Sequence, residues 1–506
     1  MTNSPYSAAN TRKNIVAFLL GKVPTALLTA SILALSARTL NPTEFGRYVL
    51  VMAMLELTMG MSSFGLDWIL LRYAPVYRNH GDRSALTRLL TGIVLLRITV
   101  LVLTGGLLFA FTQELQAHGW SLPSDLFWPF FALLVVEGAM RIFRDNALEA
   151  LALQARLQIV LITKNLTIIL GLLYLGRSGL CDARHLIYAE ILAAFLSLCL
   201  AFACVALAIR RMVPVAQTWT APTWRKMGRT ALMNYASNLV EYLYSPSSLI
   251  LLVARVQPAA AIAGLGFVLR LTDIIRNYLP SMLLFGVVRA RMIGVYVGNG
   301  DYAELKRWAQ FLYKFSVMML MPVAGVALVY GDIVLQLVSS GRYASYQRVF
   351  AALIFWLALR LHRSILGVVY NAIELMHIWA QASLISLLVL PVIFFFGYQQ
   401  LGIWFVVVAL FGNEIIVNLI AVIRMRRLGF AWPVGEMWVL KMLASLALAC
   451  LAAASLHATT PLGAAVGAAV LGAIYLMLVF LLRVVDDGDL LLINRSVGKR
   501  LFNIAA

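Results

Sequence analysis

Fourteen apolar runs of about 20 residues each limit what this chain can fold into. A helical run of that length crosses the hydrocarbon core of a bilayer. The runs are too long for barrel strands and do not alternate apolar with polar residues, so helices are predicted. The predicted spans are 15–37, 45–66, 91–112, 127–149, 157–176, 185–209, 231–254, 259–288, 309–330, 349–373, 378–398, 402–423, 436–456 and 462–483.

Composition supports the same class. Hydrophobic residues make up 62% of the chain and charged residues only 12%, against about 45–50% and about 25% in soluble domains. The chain has too little polar surface to be covered by water, so an all-α integral membrane protein is predicted. Its net charge of +19 would indicate nucleic acid binding on a soluble protein. Here the basic residues lie between apolar runs, so no nucleic acid partner is expected.

Those basic residues predict an orientation, because cytoplasmic loops carry an excess of lysine and arginine. With the N-terminus in the cytoplasm, most of the 41 lysines and arginines fall on the cytoplasmic side. An even number of spans then places both termini in the cytoplasm. The opposite side holds only Arg38, Arg47, Arg177, Arg184, Arg255, Arg342 and Arg348.

Two joints between spans resemble each other. "ARTLNPTEFG" (37–46) joins spans 1 and 2, and "ARVQPAAAIAG" (254–264) joins spans 7 and 8. An offset of six spans predicts two parallel repeats related by an axis along the membrane normal, as in transporters. Proline and glycine also punctuate ordinary helical hairpins, which leaves the alternative of no duplication open. The predicted parts are an N-terminal lobe (1–211), a cytoplasmic linker (212–230), a C-terminal lobe (231–427), and two extra helices with a cytoplasmic tail (428–506).

The first joint and the helix after it carry a family pattern. The motif is a small residue and then Arg-x-Leu-x-Pro-x-x-Phe-Gly-x-Tyr; a Gly-Leu pair and an Arg-Tyr pair come later in the chain. Its residues here are Ala37, Arg38, Leu40, Pro42, Phe45, Gly46, Tyr48, Gly65, Leu66, Arg72 and Tyr73. The stretch resembles the opening helix pair of the oligosaccharide flippases, the polysaccharide transport branch of the multidrug/oligosaccharidyl-lipid/polysaccharide exporter superfamily. Residues 249–280 and 330–360 resemble further parts of the family, and the last two helices match none of its motifs.

The resemblance implies a function. The protein would move a lipid-linked oligosaccharide on undecaprenyl diphosphate from the inner to the outer leaflet of a bacterial inner membrane, by rocking of two lobes. Its partners would be that substrate, membrane lipids, a polysaccharide polymerase and co-assembly proteins. No bond chemistry, catalytic residue or cofactor is needed. The four cysteines lack CxxC pairing and no HExxH occurs, so no metal site is predicted.

Charged residues inside the spans are the candidate functional residues, because such charges are costly and normally face a cavity or a partner. We expect the interior cations to bind the diphosphate; they are Lys22, Arg97, Lys164, Arg270, Arg276 and Arg360. Snorkelling to the headgroups is the alternative, and it is strongest for Lys22, Lys164 and Arg363. Arg270, Asp273 and Arg276 follow at i, i+3 and i+6, which also fits an ion-pair ladder.

Interior acids are candidates for coupling to a proton or sodium gradient; they are Asp67, Glu137, Glu241 and Asp273. Glu241 has polar neighbours that favour a wet, sugar-accessible face, although interhelical hydrogen bonding explains them equally well. Three other functions stay open at this point. They are a multidrug cation exporter, a lipid II flippase, and a membrane polysaccharide polymerase or ligase, which should carry a larger outer loop than this chain has.

Overall fold

The fold is helical throughout the part of the chain that the computed structural model describes. That part covers residues 8–111, 114, 124–212, 223–283, 301–373, 375–430, 432, 435–485 and 488, and it contains no strand. Contacts group the chain into two compact units, unit 1 at 1–266 and unit 2 at 267–506. Unit 1 includes the residues of predicted span 7 (231–254), which the sequence places at the start of the C-terminal lobe. The predicted lobes, 1–211 and 231–427, stay a prediction. The C-terminal end of predicted span 8, 284–288, lies outside the described residues.

The first ten helices begin in unit 1, and the last of them runs on into unit 2. They are α1 (Ala8–Thr39), α2 (Pro42–Met61), α3 (Leu66–Asn79), α4 (Arg83–Ala110), α5 (Phe127–Arg141), α6 (Gln154–Ser178), α7 (Ala183–Arg210), α8 (Trp224–Leu243), α9 (Pro246–Val253) and α10 (Ala259–Asn277). Three short pieces, Ser124–Leu126, Ile142–Ala147 and Leu148–Ala150, flank or follow α5.

Unit 2 continues from α10 through a single turn, Pro280–Leu283. Its helices are α11 (Tyr302–Ser339), α12 (Gln347–Ala372), α13 (Met376–Ser386), α14 (Val389–Leu401), α15 (Trp404–Arg427), α16 (Glu436–Ala454) and α17 (Pro461–Leu481). A short 3₁₀ turn, Ala344–Tyr346, precedes α12.

Helix length and hydropathy make this a multi-pass membrane protein. Within the described residues, eight helices are long and apolar enough to cross a membrane, and α2 with α3, bent by 61°, makes nine if the pair is counted as one span. The most apolar 18-residue segments of α4, α6 and α7 are only 22–28% buried, whereas those of α11, α12 and α15 are 50–56% buried. Because exposed apolar side chains are stable in lipid, α4, α6 and α7 present broad faces suited to the bilayer.

Each of the fourteen predicted spans contains helix, but several are broken where a continuous helix was predicted. Span 7 divides into α8 and α9 because Pro246 begins a new helix, whose first turn Ser245 caps by accepting the Ser248 N–H at 3.2 Å. Span 11 divides into α13 and α14 at 387–388. In span 4, the α-helix passes into the π-helical turn Ile142–Ala147, a feature found mostly at functional sites.

The two sequence joints meet in unit 1. A Cβ on Gly46, in the first joint, would lie 1.9 Å from the carbonyl oxygen of Ala259, in the second. A Cβ on Gly266 would lie 2.4 Å from a methyl group of Val49. The glycines therefore let α2 and α10 approach at backbone distance, which is the packing that small residues permit between membrane helices. This contact explains why a small residue is needed at Gly46, where the first joint meets the second.

The last two helices pack on α11, where that helix kinks at Tyr330. The Tyr330 hydroxyl donates a hydrogen bond of 2.6 Å to the Ala453 carbonyl at the end of α16. Gly467 of α17 lies against the same ring, since a Cβ there would come within 2.1 Å of the Tyr330 oxygen. These helices, which match no family motif in sequence, are thus part of the packed core of unit 2.

We expect Gly46→Ala to destabilise the protein, because the added methyl group must displace the Ala259 backbone. Overpacking of this kind costs about 1–3 kcal/mol. Thermal unfolding of the purified protein in detergent measures the change. Gly106→Ala is the matched control, since a Cβ at Gly106 of α4 meets nothing within 4 Å. Equal unfolding midpoints for the two variants would contradict the close approach of α2 and α10.

Candidate functional site

The break between α2 and α3 is the first feature of the candidate site. The chain turns through left-handed backbone at Phe64 (φ 45°) and Gly65 (φ 73°), and a Cβ on Gly65 would lie 2.2 Å from the Ala231 carbonyl oxygen. The last carbonyls of a helix need hydrogen-bond donors. The Met59 carbonyl accepts from Arg97 Nη2 at 2.8 Å, and the Met61 carbonyl accepts from the Tyr235 hydroxyl.

Arg97 is therefore held at the broken end of α2 rather than at a headgroup. Arg97 is only 5% exposed. Its Nε and Nη1 atoms have no hydrogen-bond partner among the residues that the structure describes. Arg97 interacts electrostatically with Asp67, in the first turn of α3, and with Tyr242 of α8. An arginine with two unsatisfied buried N–H groups is a candidate for binding an anion or water.

Glu137 of α5 is the most heavily paired carboxylate. It is 2% exposed, and both of its oxygens accept from Lys164 Nζ at 2.8 Å. Arg141 Nε lies 3.2 Å from the same carboxylate and Arg144 Nη1 lies 3.8 Å from it. A buried carboxylate is stable only when it is paired and hydrogen-bonded. Glu137 thus ties α5 and the π-helical turn to α6.

Further pairs extend from this centre. Arg141 makes a bidentate contact with Glu56 of α2, with one N–O distance of 2.9 Å. Arg144 makes a bidentate contact with its neighbour Asp145. Asn146 donates to Asp67 at 2.7 Å, which links the π-helical turn to the break after α2. We call this set the buried charge cluster; its members are Glu56, Asp67, Arg97, Glu137, Arg141, Arg144, Asp145 and Lys164.

The cluster is electrically balanced, with four cations and four carboxylates. It therefore offers no surplus positive charge to an anion while all its members are ionised. Lys164, a predicted diphosphate ligand, forms an ion pair with Glu137 instead. Lys22 lies within electrostatic range of Glu149, just beyond the π-helical turn.

Unit 2 holds a different arrangement. Glu414 of α15 is 2% exposed and lies 3.6 Å from Arg363 Nη1 and 3.9 Å from Arg360 Nη1. The two arginines also stack on aromatic rings, Arg360 on Trp356 at 5.0 Å and Arg363 on Trp379 at 5.8 Å. Arg360, Arg363 and Glu414 thus form an ion-paired group that links α12 to α15.

The remaining sequence candidates are members of neither group. Arg270 of α10 is exposed directly after eight buried residues of that helix. Arg276 pairs with Asp273 at 3.1 Å, the i, i+3 contact that the spacing predicts. Glu241 of α8 is exposed.

His362 of α12 forms a separate, fully hydrogen-bonded group. Its Nδ1 lies 2.8 Å from Asn418 Oδ1, and its Nε2 lies 2.7 Å from Trp432 Nε1. Because an indole N–H can only donate, Nε2 must accept, which assigns the neutral tautomer with the proton on Nδ1. His362 therefore joins α12 to α15 and to the segment after α15 as a structural link.

Arg141 and Arg144 are two functional residues that the sequence pattern does not reveal, because the arginine bias places both at a cytoplasmic helix end. The spacing of Glu137 and Arg141 at i, i+4 is a usable signal for one pair. The π-helical turn has no comparable signal beyond charges that interrupt span 4. The contacts with Glu56 and Lys164 depend on how separate helices rotate and pack, which one sequence does not reveal.

Comparison with known proteins bears on this fold and site. The model of a family described as polysaccharide biosynthesis protein matches residues 11–285. This stretch contains most of α1, all of α2 through α10 and all of the buried charge cluster. No curated protein matches the chain in sequence.

Solved structures share the fold at low sequence identity. The lipid II flippase MurJ in an inward closed conformation aligns with a TM-score of 0.66 at 12% identity, over 96% of this chain and 100% of that one. An inward-facing multidrug resistance MATE family transporter of the MOP superfamily aligns with a TM-score of 0.59 at 15% identity, over 82% and 99%. These likenesses confirm the transporter fold class predicted from sequence.

We expect Glu137→Gln to destabilise the protein strongly, because three cations then lose their buried counter-charge. Breaking such a group costs about 3–5 kcal/mol. Thermal unfolding in detergent measures the loss. The double variant Glu137→Gln with Lys164→Met should recover part of it, since the uncompensated ammonium group is gone. Glu241→Gln, at an exposed position, is the control. An unfolding midpoint for Glu137→Gln equal to that of the control would refute the assigned role.

Proposed function

The chain belongs to the polysaccharide biosynthesis protein family, and we propose that it moves lipid-linked oligosaccharide units across a membrane. The single observation that carries the proposal is the family match over residues 11–285, on a chain with a transporter fold. The substrate is an oligosaccharide repeat unit on undecaprenyl diphosphate, and the product side is the outer leaflet of the bacterial inner membrane. Translocation proceeds by alternating access, with both termini in the cytoplasm and a polysaccharide polymerase acting afterwards.

The diphosphate needs a cation that is not already paired. Arg270 is exposed on α10 and forms no ion pair within the described part of the chain. An arginine that emerges from a membrane helix must reach water, a headgroup or a substrate. Its guanidinium binds phosphate bidentately. Arg270 is therefore our first choice among the six predicted cations.

Ion coupling needs a carboxylate that can change its protonation state. Glu137 is held by three cations and Asp273 by Arg276. Asp67 accepts a hydrogen bond from Asn146, beside an Arg97 that keeps two N–H groups unsatisfied. Protonation of Asp67 would leave the Arg97 charge without its neighbour and so favour a rearrangement at the α2–α3 break. We therefore assign coupling to the Asp67–Arg97 pair.

A lipid II flippase is the second candidate function, favoured by the likeness of the fold to MurJ over nearly the whole chain. It differs from the first only in the saccharide carried. Transport of a lipid-linked saccharide is common to both.

Proteoliposomes test the function directly. They contain a lipid-linked oligosaccharide whose sugar carries a fluorophore that impermeant dithionite destroys. Without the protein only the outer leaflet is bleached; with it, bleaching should approach completion. The same assay with labelled lipid II separates the two substrates. Bleaching that stops at the outer leaflet for both lipids would refute a flippase function.

Arg270→Ala should slow flipping about tenfold or more in this assay, because one charge-assisted hydrogen bond to the diphosphate is lost. Arg270→Lys should retain part of the rate, since it keeps the charge. Arg225→Ala, which removes an exposed cation from α8, should flip at the wild-type rate. An unchanged rate for Arg270→Ala would exclude Arg270 as a substrate ligand.

Asp67→Asn should abolish the response of flipping to an imposed proton or sodium gradient, because an amide cannot release a proton or provide a charged ligand. The measurement compares initial rates with and without each gradient in the same proteoliposomes. Glu241→Gln, at the rival coupling position, should respond like the wild type. A gradient response that survives in Asp67→Asn and disappears in Glu241→Gln would move the coupling site to Glu241.

A further inference from the structure

A cleft with both polar and apolar walls lies at one end of unit 2, where the connection from α11 to α12 meets the start of α15. Its volume is about 560 Å³, within the range of ~300–1,000 Å³ that is usual for small-ligand sites. It is lined by Asp332, Ser345, Gln347, Arg348, Ile403 and Trp404. The arginine bias predicts that this end faces outward, because Arg342 and Arg348 belong to the few basic residues of the outer side.

The polar groups of the cleft are available for a ligand. Asp332, Ser345 and Arg348 are exposed, and none of their side chains forms a hydrogen bond or ion pair within the described residues. The amide nitrogen of Gln347 donates a hydrogen bond of 2.7 Å to the Leu328 carbonyl. Its amide oxygen can still accept a hydrogen bond. The cleft thus offers a carboxylate, a guanidinium, a hydroxyl and an amide oxygen in one place.

The wall of the cleft is held firmly. The chain leaves α11 through left-handed backbone at Ser340 and Gly341, and the Tyr343 N–H donates to Ser339 Oγ at 3.1 Å. The Tyr343 ring is 2% exposed and packs on Phe267 with 5.0 Å between ring centroids. A site whose walls are fixed before binding loses little free energy in ordering them.

Trp404 forms the aromatic wall of the cleft. It is the first residue of α15 and is 37% exposed. An indole combines a large apolar face with an N–H donor. A sugar ring has an apolar face of C–H groups and an edge of hydroxyls. Hydroxyl pairs match carboxylate and guanidinium groups, which make two hydrogen bonds at once.

We propose that this cleft binds a sugar residue of a glycan, with Trp404 stacked on the ring and with Asp332 and Arg348 hydrogen-bonded to its hydroxyls. Sugar binding as such is independent of transport. Its role in export, which is to hold the glycan after it has crossed and before a polymerizing enzyme consumes it, rests on the proposed function.

Binding of free oligosaccharide tests the cleft. The probe is a set of short oligosaccharides obtained by acid hydrolysis of the surface polysaccharide of the producing strain, added to full-length protein in nanodiscs. Saturation-transfer NMR with titration gives the dissociation constant. Trp404→Ala and Asp332→Asn should each weaken binding roughly tenfold, whereas Trp404→Phe, which keeps an aromatic face, should lose less. Arg342→Ala, an exposed cation of the same connection outside the cleft, should bind like the wild type.

Two results would overturn the proposal: no saturable binding by folded wild-type protein, or binding that Trp404→Ala leaves unchanged. In either case Trp404 is an interfacial anchor of the kind common at membrane surfaces. The flipping assay on the same purified protein, reconstituted in proteoliposomes, separates this failure from failure of the proposed function. A protein that flips its substrate but binds no free sugar refutes the cleft alone. A protein that binds sugar through Trp404 but does not flip refutes the flippase function alone.

Discussion

A carboxylate buried among membrane helices must be neutralised, and Glu137 shows how this chain does so. Lys164 from α6 and Arg141 and Arg144 from the end of α5 share one carboxylate. Through Arg141 and Asn146 the same group reaches α2 and the start of α3. The π-helical turn, the break after α2 and the link between α5 and α6 therefore share one set of charges, because none of them can be left unpaired in the bilayer.

The two units use charge differently. In unit 1 the four cations and four carboxylates of the buried charge cluster balance, and the coupling that we propose for Asp67 and Arg97 lies within it. In unit 2, Arg360 and Arg363 lie beside Glu414, whereas Arg270 stands exposed. A carrier of a diphosphate needs both properties. It needs cations free to hold the substrate, and it needs a carboxylate whose protonation can be linked to the movement of the helices.

Hydropathy predicted the helices well because burial in lipid depends on run length and composition, which one sequence displays. It could not predict the division at Ser245-Pro246 or the left-handed turn at Phe64-Gly65, because local hydrogen bonding decides where a helix stops. The sequence also reveals the charged residues inside the spans, because a charge within an apolar run is easy to recognise. It does not reveal their partners, because Glu56, Glu137 and Lys164 are brought together only by the packing of separate helices.

The central claim is that this chain exports a finished saccharide on its lipid carrier, and a strain lacking the gene tests it most directly. Its undecaprenyl-linked lipids are extracted and identified by mass spectrometry, with surface polysaccharide measured in parallel. The account predicts accumulation of a complete oligosaccharide unit on its carrier together with loss of the surface polymer, both reversed by the wild-type gene. Normal carrier lipids and normal surface polysaccharide, in a strain without a second exporter of this family, would contradict it.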